Sequence, residues 1–498
     1  MHSPFERSEP AESDRLRIAW AAWPADLATP VQAFLSLRAA GHRVCLLESV
    51  EGPARLARYS FLAVDPTASL RCDRSGNVLR RADAADERIE GAPHEALRKV
   101  ARRTQAVHPA NLPPSLPPFR GGWIGWLAYE WATRLEPRVP RARNDPWNVP
   151  DATFDLYEDV VAFDHASQRV FVVVPCPDGA RGHAAAQERA TRLAADALEG
   201  DARASGTFRL QGSFEARTEP AEFRRGVETL RNAIAAGDIF QGVLSQRFEQ
   251  HFSGDPFTAY RVLRLVNPSP HMFYFEADGL TLIGSSPERL VGVRGGRAEN
   301  RPIAGTRPRS SDSAEDERLG EELLGDPKER AEHDMLVDLA RNDLGRVART
   351  GTVRVKEHMQ LERFARVQHL VSRVECELAS GRDALDALAA AFPAGTVSGA
   401  PKVRAMQLIA EVERDTRGPY AGCFGYLDAA GNLDTALCLR TFVARDGVLS
   451  VQSGAGIVYD SDPEAELRET LHKAGALFEA AARADSDSFR TPAQTVQR

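Results

Sequence analysis

The chain has 498 residues, 43% of them hydrophobic and 27% charged, which is long enough for about two to four globular domains or one large interwoven unit. Its net charge of -7 argues against a nucleic acid or an anionic membrane as partner. The six cysteines include no CxxC pair, so neither zinc nor a disulfide framework is indicated. No apolar run could span a bilayer and the N-terminus has no signal-peptide core, so we expect a cytoplasmic protein.

The first part of the chain predicts mixed strands and helices. Residues 1–15 are predicted to be a disordered tail, and 16–198 to form an N-terminal domain. A proline-rich connection over Asn111–Pro118 interrupts this domain, because proline fits neither a helix interior nor a central strand. The predicted helices are Pro30–Arg38, His94–Thr104 and Ala184–Leu198, and the predicted strands are Arg43–Glu48, Arg58–Leu62, Ser69–Cys72, Val160–Asp164 and Arg169–Val174.

The second part is dominated by hairpin signals. Small and polar residues over 199–219 predict a linker, 220–484 are predicted to form a second domain, and 485–498 a disordered tail. Repeated two-residue turns between strand-like runs indicate antiparallel sheet. We therefore predict an α+β fold with helices packed outside antiparallel sheets. The turns are Asp278-Gly279, Gly295-Gly296, Gly431-Asn432 and Asp446-Gly447.

Two predicted helices share one design, in which an Asp-Pro pair precedes two glutamates three residues apart. They lie in Asp326–Val347 and Asp460–Leu477. Residues three apart share a helix face, so two such helices could hold one hard cation such as Mg²⁺ between them. The alternative is that the acids only complement the helix dipoles. The pairs are Glu329 with Glu332 and Glu466 with Glu469.

Several motifs occur in a fixed order along the second part of the chain. Two of them are Gly-rich, and each alone is compatible with an anion-binding loop or an ordinary turn. In order they are GDIFQGVLSQR, NPSPHMFYF, SSPERL, RPIAGTRPR, EHDMLVDLARNDLGRV, FPAGTVSGAPKVRAM and GAGIVYDSDPEAELRET. Together they resemble the chorismate-utilising enzymes, and within them the large subunits of anthranilate synthases. The resemblance covers about residues 220–480 and is looser before that, at LLES and RYSFL.

This resemblance implies a fold of interwoven antiparallel sheets and an activity. The activity is Mg²⁺-dependent amination of chorismate at C2, loss of the C4 hydroxyl, and elimination of pyruvate to give anthranilate. It implies that Glu332 and Glu469 hold Mg²⁺, with Glu329 and Glu466 supporting through water. The chain carries no glutaminase motif, so ammonia would come from solution or from a separate glutamine amidotransferase subunit, and a hetero-oligomer is expected.

The resemblance also implies a substrate cradle. Arg440, predicted within a strand over Ala436–Phe442, would grip the enolpyruvyl carboxylate with Tyr426 as its partner. His369 lies among apolar residues and could be a core histidine, but the resemblance places it near the C4 hydroxyl as a general acid. The remaining implied residues are Thr306 and Glu329 among the catalytic ones, and Thr396, Lys402, Ala304, Gly454, Ala455 and Gly456 among the substrate-binding ones.

Two positions separate the reactions of the family. Gln241 stands where isochorismate and salicylate synthases carry a lysine base that activates water. Ala304 stands where many aminodeoxychorismate synthases carry a nucleophilic lysine. Both residues favour direct addition of ammonia. Gly242 departs from the common valine, and the GGWIGWLAYEW and DSDPEAE segments lean towards aminodeoxychorismate synthases. An aminodeoxychorismate synthase is therefore the first alternative, and a catalytically silent regulatory relative is the second.

Two further segments resemble the site at which tryptophan inhibits anthranilate synthases. Tryptophan is therefore expected as a feedback ligand of the N-terminal domain. The usual pattern has tyrosine where this chain has His271, a departure that bears directly on tryptophan binding. The implied effector residues are Leu47, Glu48, Ser49, Pro268, His271, Met272 and Phe273.

Overall fold

A computed structural model describes residues 17–50, 58–104, 115–177, 179–202, 206–364 and 367–485. The tail expected over 1–15 lies outside these ranges, as does the tail expected over 485–498 apart from Asp485. Part of the proline-rich connection lies outside them as well. Within the described ranges, two antiparallel twelve-stranded sheets carry helices on their outer faces, which confirms the predicted α+β class.

Strands and helices are numbered here in chain order. The strands are β1 Arg17–Pro24, β2 Val44–Glu48, β3 Tyr59–Val64, β4 Ala68–Asp73, β5 Gly76–Arg81, β6 Ala84–Ile89, β7 Gly122–Leu127, β8 Ala152–Tyr157, β9 Asp159–Asp164, β10 Arg169–Cys176, β11 Phe208–Ala216, β12 Gln241–Gly254, β13 His271–Ala277, β14 Leu280–Ser286, β15 Arg289–Arg294, β16 Arg297–Asn300, β17 Ile303–Pro308, β18 Arg354–Arg363, β19 Val367–Glu377, β20 Gly399–Ala400, β21 Cys423–Asp428, β22 Leu433–Leu437, β23 Thr441–Arg445 and β24 Val448–Ile457. The helices are α1 Pro30–Ala39, α2 Pro93–Arg103, α3 Ala132–Leu135, α4 Gly179–Leu198, α5 Pro220–Ala235, α6 Phe257–Val266, α7 Ser313–Gly325, α8 Pro327–Gly345, α9 Ala384–Ala391, α10 Lys402–Val412 and α11 Pro463–Asp485, with short 3₁₀ helices at Tyr129–Trp131 and Gly395–Val397.

The two sheets are interwoven along the chain. The first runs β1-β10-β9-β3-β2-β13-β14-β23-β24-β12-β11, with β20 added beside β12. The second runs β17-β19-β16-β15-β22-β21-β7-β8-β4-β5-β6, with β18 added beside β19. Each sheet contains strands from both sides of the expected domain boundary at 199–219. The segments 16–198 and 220–484 therefore build one shared pair of sheets.

An apolar core fills the space between the sheets. Phe273 of β13 stacks on Phe424 of β21 with ring centroids 4.2 Å apart, which joins the first sheet to the second. Trp126 of β7 and Phe61 of β3 belong to the same buried cluster. Helices α1, α4, α6 and α11 bury the outer face of the first sheet, and α2, α8 and α9 that of the second. Among the described helices, none is long and apolar enough to cross a membrane.

The expected linker at 199–219 is wrong for residues 208–216. These residues form β11, which pairs with β12 at the edge of the first sheet. Most side chains of β11 are at least partly exposed, and its sequence FRLQGSFEA is correspondingly polar. A sheet edge buries little apolar surface, so the sequence lacks the apolar signal by which strands are recognised.

Helix α8 forms as its sequence predicts. Pro327 occupies the first turn, and the Asp326 carboxylate accepts from the backbone N–H groups of Lys328 and Glu329. These contacts satisfy donors that a helix start leaves without partners, and the carboxylate also complements the positive end of the helix dipole. The buried side includes Leu336 and packs on β17 and β19. The helix therefore presents its paired glutamates beside these two strands.

Candidate active site

The chain changes from one sheet to the other at two neighbouring crossovers, residues 286–289 between β14 and β15 and residues 437–441 between β22 and β23. Backbone hydrogen bonds join the two crossovers. Leu437 N donates to Glu288 O at 3.0 Å, and Ser285 N donates to Arg440 O at 3.1 Å. The two crossovers therefore form one seam at the junction of the sheets, and its charged side chains are Glu288, Arg289 and Arg440.

Arg440 lies in this seam and not in a continuous strand over Ala436–Phe442, as had been expected. β22 ends at Leu437 and β23 begins at Thr441, because the chain changes sheets between them. Arg440 itself has a φ of +46°, in the left-handed region. This conformation is uncommon for a bulky residue, and residues that adopt it are often found at functional sites. Its positive charge contributes to lowering the pKa of His369, so the guanidinium lies near that imidazole.

Glu288, on the other crossover, is a site residue that the sequence analysis passed over. Burial raises the pKa of its carboxyl to about 7. Thr396, on the short helix Gly395–Val397, donates from Oγ1 to Glu288 Oε1 at 2.9 Å. A carboxyl that titrates near neutral pH can both hold and release a proton, as a general acid must. The SSPERL motif contained the signal, because it places an acid between two apolar strand segments.

His369 lies on β19 opposite Thr306 of β17. Its Nδ1 donates to the Gly305 carbonyl at 2.9 Å and lies 3.0 Å from Thr306 Oγ1. Since a carbonyl oxygen only accepts, this bond places the proton on Nδ1 and leaves Nε2 as an acceptor. Burial is the main cause that lowers the pKa of His369, so the ring is neutral at neutral pH. A neutral ring with an unprotonated Nε2 can accept a proton, and the general-acid role expected for His369 stays a prediction.

The acids of α8 and α11 lie close enough to affect one another. Burial and then the charge of Glu329 raise the pKa of Glu332, and Glu469 of the other helix adds to this effect. Burial and then Glu469 likewise raise the pKa of Glu466. Like charges disfavour ionisation of their neighbours only at short range. The fold therefore brings the two Glu-x-x-Glu pairs together.

Carboxylate oxygens in such a cluster are the ligands that Mg²⁺ prefers. In the part of the chain that the structure describes, no three histidine, cysteine, aspartate or glutamate side chains already form a metal-holding group. The cluster has a cation of its own, since Lys473 Nζ lies 2.7 Å from Glu469 Oε1 and donates to the Gly454 carbonyl at 3.0 Å. The ion pair of Lys473 with Glu469 was not predicted from the sequence, although residues four apart on a helix lie close enough to form one.

Glu329 has a second charged neighbour on β17. Arg307 Nη1 donates to Glu329 Oε1 at 3.2 Å, and Arg307 Nη2 donates to Asp326 Oδ2 at 2.9 Å. Arg307 thereby fixes the start of α8 against the strand that carries Thr306. Because Arg307 already binds the Glu329 carboxylate, Glu329 is better suited to support a bound cation than to contact it directly.

The Gly-rich segments line β12. Gly454, Ala455 and Gly456 lie on β24 and pair with β12, and β20 pairs with the first residues of β12 from the other side. A Cβ at Gly456 would lie 2.8 Å from Gln241 Nε2, and a Cβ at Gly454 would lie 2.8 Å from the Tyr420 hydroxyl oxygen. The two glycines therefore leave the space that the Gln241 and Tyr420 side chains occupy.

Lys402 does not lie in this cradle, which corrects its expected substrate-binding role. It begins α10, and its Nζ donates to Asp343 Oδ2 of α8 at 2.9 Å and to the Ala391 carbonyl at 3.4 Å. Both charged side chains are largely buried. This ion pair joins α10 to α8, and the removal of either partner is expected to be strongly destabilising because the other charge would stay buried.

A cavity of about 570 Å³ opens between the two sheets. Glu48 and Ser49 of the LLES motif lie on one side of it, and the Ser49 hydroxyl is buried without a hydrogen-bond partner among the described residues. Burial lowers the pKa of His271 to about 4, so this ring is neutral at physiological pH. Of the expected effector residues, Pro268 is not part of the lining. Those that line the cavity are Leu47, Glu48, Ser49, His271, Met272 and Phe273.

Tyr426 also lines this cavity, in contact with Phe119. Its backbone partner on β22 is Asp434, six positions before Arg440, which disfavours the expected pairing of Tyr426 with Arg440. Alternation along β21 turns Tyr426 and Phe424 towards the space between the sheets, since residues two apart in a strand share a face. Tyr420, which precedes β21, is the tyrosine that packs against Gly454. The sequence offers both tyrosines within seven positions, Tyr420 to Tyr426, and only the fold distinguishes them.

Comparisons with solved structures agree with this architecture. The anthranilate synthase component I of Streptococcus pneumoniae superposes with a TM-score of 0.75 at 37% identity, covering 85% of this chain and 92% of that one. The menaquinone-specific isochorismate synthase of Escherichia coli superposes with a TM-score of 0.69 over 94% of this chain and 95% of that one. At 20% identity, the second likeness concerns the fold alone.

Comparisons of sequence define the family. Residues 44–479 match the chorismate binding enzymes. The chain is 45% identical to anthranilate synthase component 1 of Aquifex aeolicus, covering 91% of this chain and 92% of that protein. It is also 45% identical to anthranilate synthase component 1 of Streptomyces coelicolor, covering 93% of this chain and 88% of that protein. The chain therefore belongs to the chorismate binding enzymes and, within them, to the family of anthranilate synthase component 1.

Proposed function

We propose that this chain is the large subunit of an anthranilate synthase, which converts chorismate and ammonia to anthranilate and pyruvate for tryptophan biosynthesis. The observation that carries the proposal is that Glu288 and Arg440 share the seam and that the charge of Arg440 also acts on His369. Glu288 is a carboxyl that can give a proton, Arg440 is a guanidinium that can grip a carboxylate, and His369 is an imidazole that can accept a proton. The reaction needs each of these abilities.

In the addition step, Arg440 binds the enolpyruvyl carboxylate through its planar fork. Ammonia forms the C2–N bond, the C1=C2 and C5=C6 double bonds shift to C1=C6 and C4=C5, and the C4–O bond breaks. Glu288 gives its proton to the departing oxygen, which leaves as water, because hydroxide alone is a poor leaving group. The surplus proton of the new ammonium group passes to solvent.

In the elimination step, His369 Nε2 accepts the proton from C2. The C3–O bond breaks, the enolpyruvyl group leaves and is protonated to pyruvate, and the ring becomes aromatic. The bond from His369 Nδ1 to the Gly305 carbonyl holds the tautomer that this step requires, and the lowered pKa keeps Nε2 unprotonated.

We assign the acidic cluster to Mg²⁺. Glu332 and Glu469 would hold the ion, with Glu329 and Glu466 supporting through water. Bound Mg²⁺ supplies positive charge that neutralises the ring carboxylate of the substrate and polarises the ring. Burial and then the charge of neighbouring glutamates raise the pKa of Glu332 and Glu466, and the support for this assignment is that a cation would relieve the repulsion between them.

Ala304 and Gln241 favour this reaction over its relatives. Ala304 is buried on β17 and offers no nucleophile for a covalent bond to the ring. Gln241, packed against Gly456, offers no base that could activate water. Ammonia is itself a nucleophile and needs neither group. We propose that a separate glutamine amidotransferase subunit supplies it, in a hetero-oligomer.

Product analysis tests this proposal. With chorismate, Mg²⁺ and ammonium at alkaline pH, we expect fluorescent anthranilate and pyruvate in equal amounts. Consumption of chorismate without pyruvate, and 4-aminobenzoate appearing only after a lyase is added, would instead identify an aminodeoxychorismate synthase. No turnover with ammonium or with an amidotransferase partner would identify a regulatory relative.

We further propose that the cavity between the sheets is an effector site for tryptophan. Its aromatic wall, formed by Phe424 and Tyr426, suits an indole ring, and the unpartnered Ser49 hydroxyl offers a contact for a polar group of the amino acid.

We also propose a cytoplasmic location, since all six cysteines are free and buried, as suits a reducing compartment.

A pair of tyrosine variants separates the two sites. Tyr426→Ala removes an aromatic wall of the cavity, so we expect tryptophan affinity by isothermal titration to fall by about 10- to 100-fold, with kcat unchanged within about twofold. Tyr420→Phe should show the reverse pattern, a raised KM for chorismate with unchanged tryptophan affinity.

Two results would contradict these assignments. A KM for chorismate that rises tenfold or more in Tyr426→Ala, on the order of one lost hydrogen bond, would return Tyr426 to the substrate cradle. Absence of tryptophan binding to the unmodified chain at millimolar ligand would remove the feedback proposal. In that case His271→Tyr, which restores the usual pattern, is the variant in which binding should then appear.

A further inference from the structure

A buried arginine lies next to the short helix that carries Thr396. The Arg417 side chain is 1% exposed and forms a two-pronged ion pair with Glu413, in which Nε and Nη2 each donate at 2.7 Å. Glu413 is also fixed from the other side, since its Oε1 accepts from Ser245 N at 2.7 Å and from Ser245 Oγ at 2.9 Å. The reaction steps described above do not use this ion pair.

Arg417 also holds two backbone carbonyls of the site. Nη1 donates to Val397 O at 2.7 Å, and Nη2 donates to Val243 O at 2.7 Å. Val397 directly follows Thr396, and Val243 lies two residues after Gln241 on β12. One guanidinium therefore ties the short helix Gly395–Val397 to the strand that carries Gln241.

Two tyrosines enclose the same guanidinium. The centroid of the Tyr129 ring lies 4.4 Å from Arg417 Cζ, and that of Tyr420 lies 5.7 Å away, within the range of cation–π contact. The backbone at Arg417 is anchored in turn, because Glu130 accepts from Arg417 N at 2.7 Å and from Gly418 N at 3.0 Å. Arg417 is thus a fixed point to which Tyr420 and the Thr396 helix are both attached.

We propose that Arg417 is a positioning residue, which holds the Thr396 hydroxyl at hydrogen-bond distance from the Glu288 carboxyl. The inference rests on the proposed role of Glu288. Three partners at different angles, Glu413, Val397 O and Val243 O, need a planar fork of donors. Lysine carries the same charge on a single point and cannot hold all three, so the short helix would lose its fixed position.

A double-mutant cycle tests this route. Arg417→Lys and Thr396→Val are each expected to lower kcat by about 10- to 50-fold, the effect of losing one hydrogen bond to a charged or buried group, with KM for chorismate within about threefold. The double variant should be no slower than the slower single variant, because both changes break the same contact. Multiplying effects in the double variant would overturn the proposal.

Controls separate positioning from general stability. Arg98→Lys is matched, because Arg98 also grips a carboxylate through two bonds, to Asp383 at 2.7 and 3.1 Å, away from the seam. We expect it to lower Tm without changing kcat. If Arg417→Lys behaved like this control, Arg417 would be only structural.

A second variant covers the case in which Arg417→Lys does not fold. Glu413→Gln leaves the guanidinium in place and weakens its tether, and its effect on kcat should likewise vanish in the Thr396→Val background. An effect that persists there would overturn the proposal. The role of Glu288 is judged separately by Glu288→Gln, so failure of this cycle and failure of the catalytic assignment give different results.

Discussion

Glu288→Gln is expected to lower kcat for anthranilate formation by about 10²- to 10⁴-fold, with KM for chorismate changed by less than about threefold. Glutamine keeps the shape of the side chain and can still accept the hydrogen bond from Thr396 Oγ1, which spans 2.9 Å in the parent enzyme. It cannot give a proton to the departing C4 oxygen. The loss should therefore fall on the chemical step and not on substrate binding.

The pH dependence of the same enzyme gives a second readout. The pKa of Glu288 is raised to about 7, so the proton-donating form is present below that pH and is lost above it. With the rate corrected for the fraction of ammonia present as NH₃, kcat/KM should fall as the pH rises through about 7. The decline in kcat should lie at higher pH, because the two carboxylates of bound chorismate disfavour ionisation of Glu288 further.

A buried acid elsewhere in the fold provides the control. Asp159 is buried, burial raises its pKa, and it pairs with Arg189 between β9 and α4. Asp159→Asn should change Tm and leave the pH profile intact. A Glu288→Gln variant that retained kcat within about threefold, or that kept the decline near pH 7, would mean that another group protonates the leaving oxygen.

The elements that the sequence predicted well are those with local signals. The start of α8 follows from the Asp326-Pro327 pair, and the four glutamates share helix faces because of their spacing, so their position was predictable before the fold was known. β11 gave no such signal, because an edge strand buries little apolar surface. Long-range pairing alone makes its residues a strand.

The misassigned residues all depend on contacts between distant parts of the chain. Glu288 becomes a catalytic candidate only because Thr396, 108 residues away, donates a hydrogen bond to it in a partly buried seam. Arg440 leaves its predicted strand because the chain changes sheets there. Tyr426 faces the cavity between the sheets because of the way β21 pairs with its neighbours β7 and β22, which no local pattern specifies. In this fold, the spacing of the glutamates was enough to identify α8 and α11, whereas the seam could be recognised only once the packing of the two sheets was known.

The acidic cluster makes a prediction in which stability and activity change in opposite directions. Glu332→Gln removes one of several like charges, and the raised pKa of Glu332 shows that its charged form is disfavoured in the fold. A group whose pKa is raised on folding destabilises the protein when ionised, so the neutral variant should have a higher Tm without metal at pH 7. Its activity with Mg²⁺ should nevertheless fall by about 10²- to 10⁴-fold, because it loses a cation ligand.

Thermal shift measures the metal directly. Mg²⁺ should raise the Tm of the parent enzyme, since a ligand that binds only the folded state stabilises it, and this rise should be absent in Glu332→Gln and in Glu469→Gln. Glu464→Gln is the matched control on α11, because Glu464 pairs with Arg224 at 2.7 Å and lies outside the proposed ligand set. It should keep both the Mg²⁺ response and the activity. If Glu332→Gln kept the Mg²⁺-dependent rise in Tm, the ion would bind elsewhere, and the paired glutamates would not be its ligands.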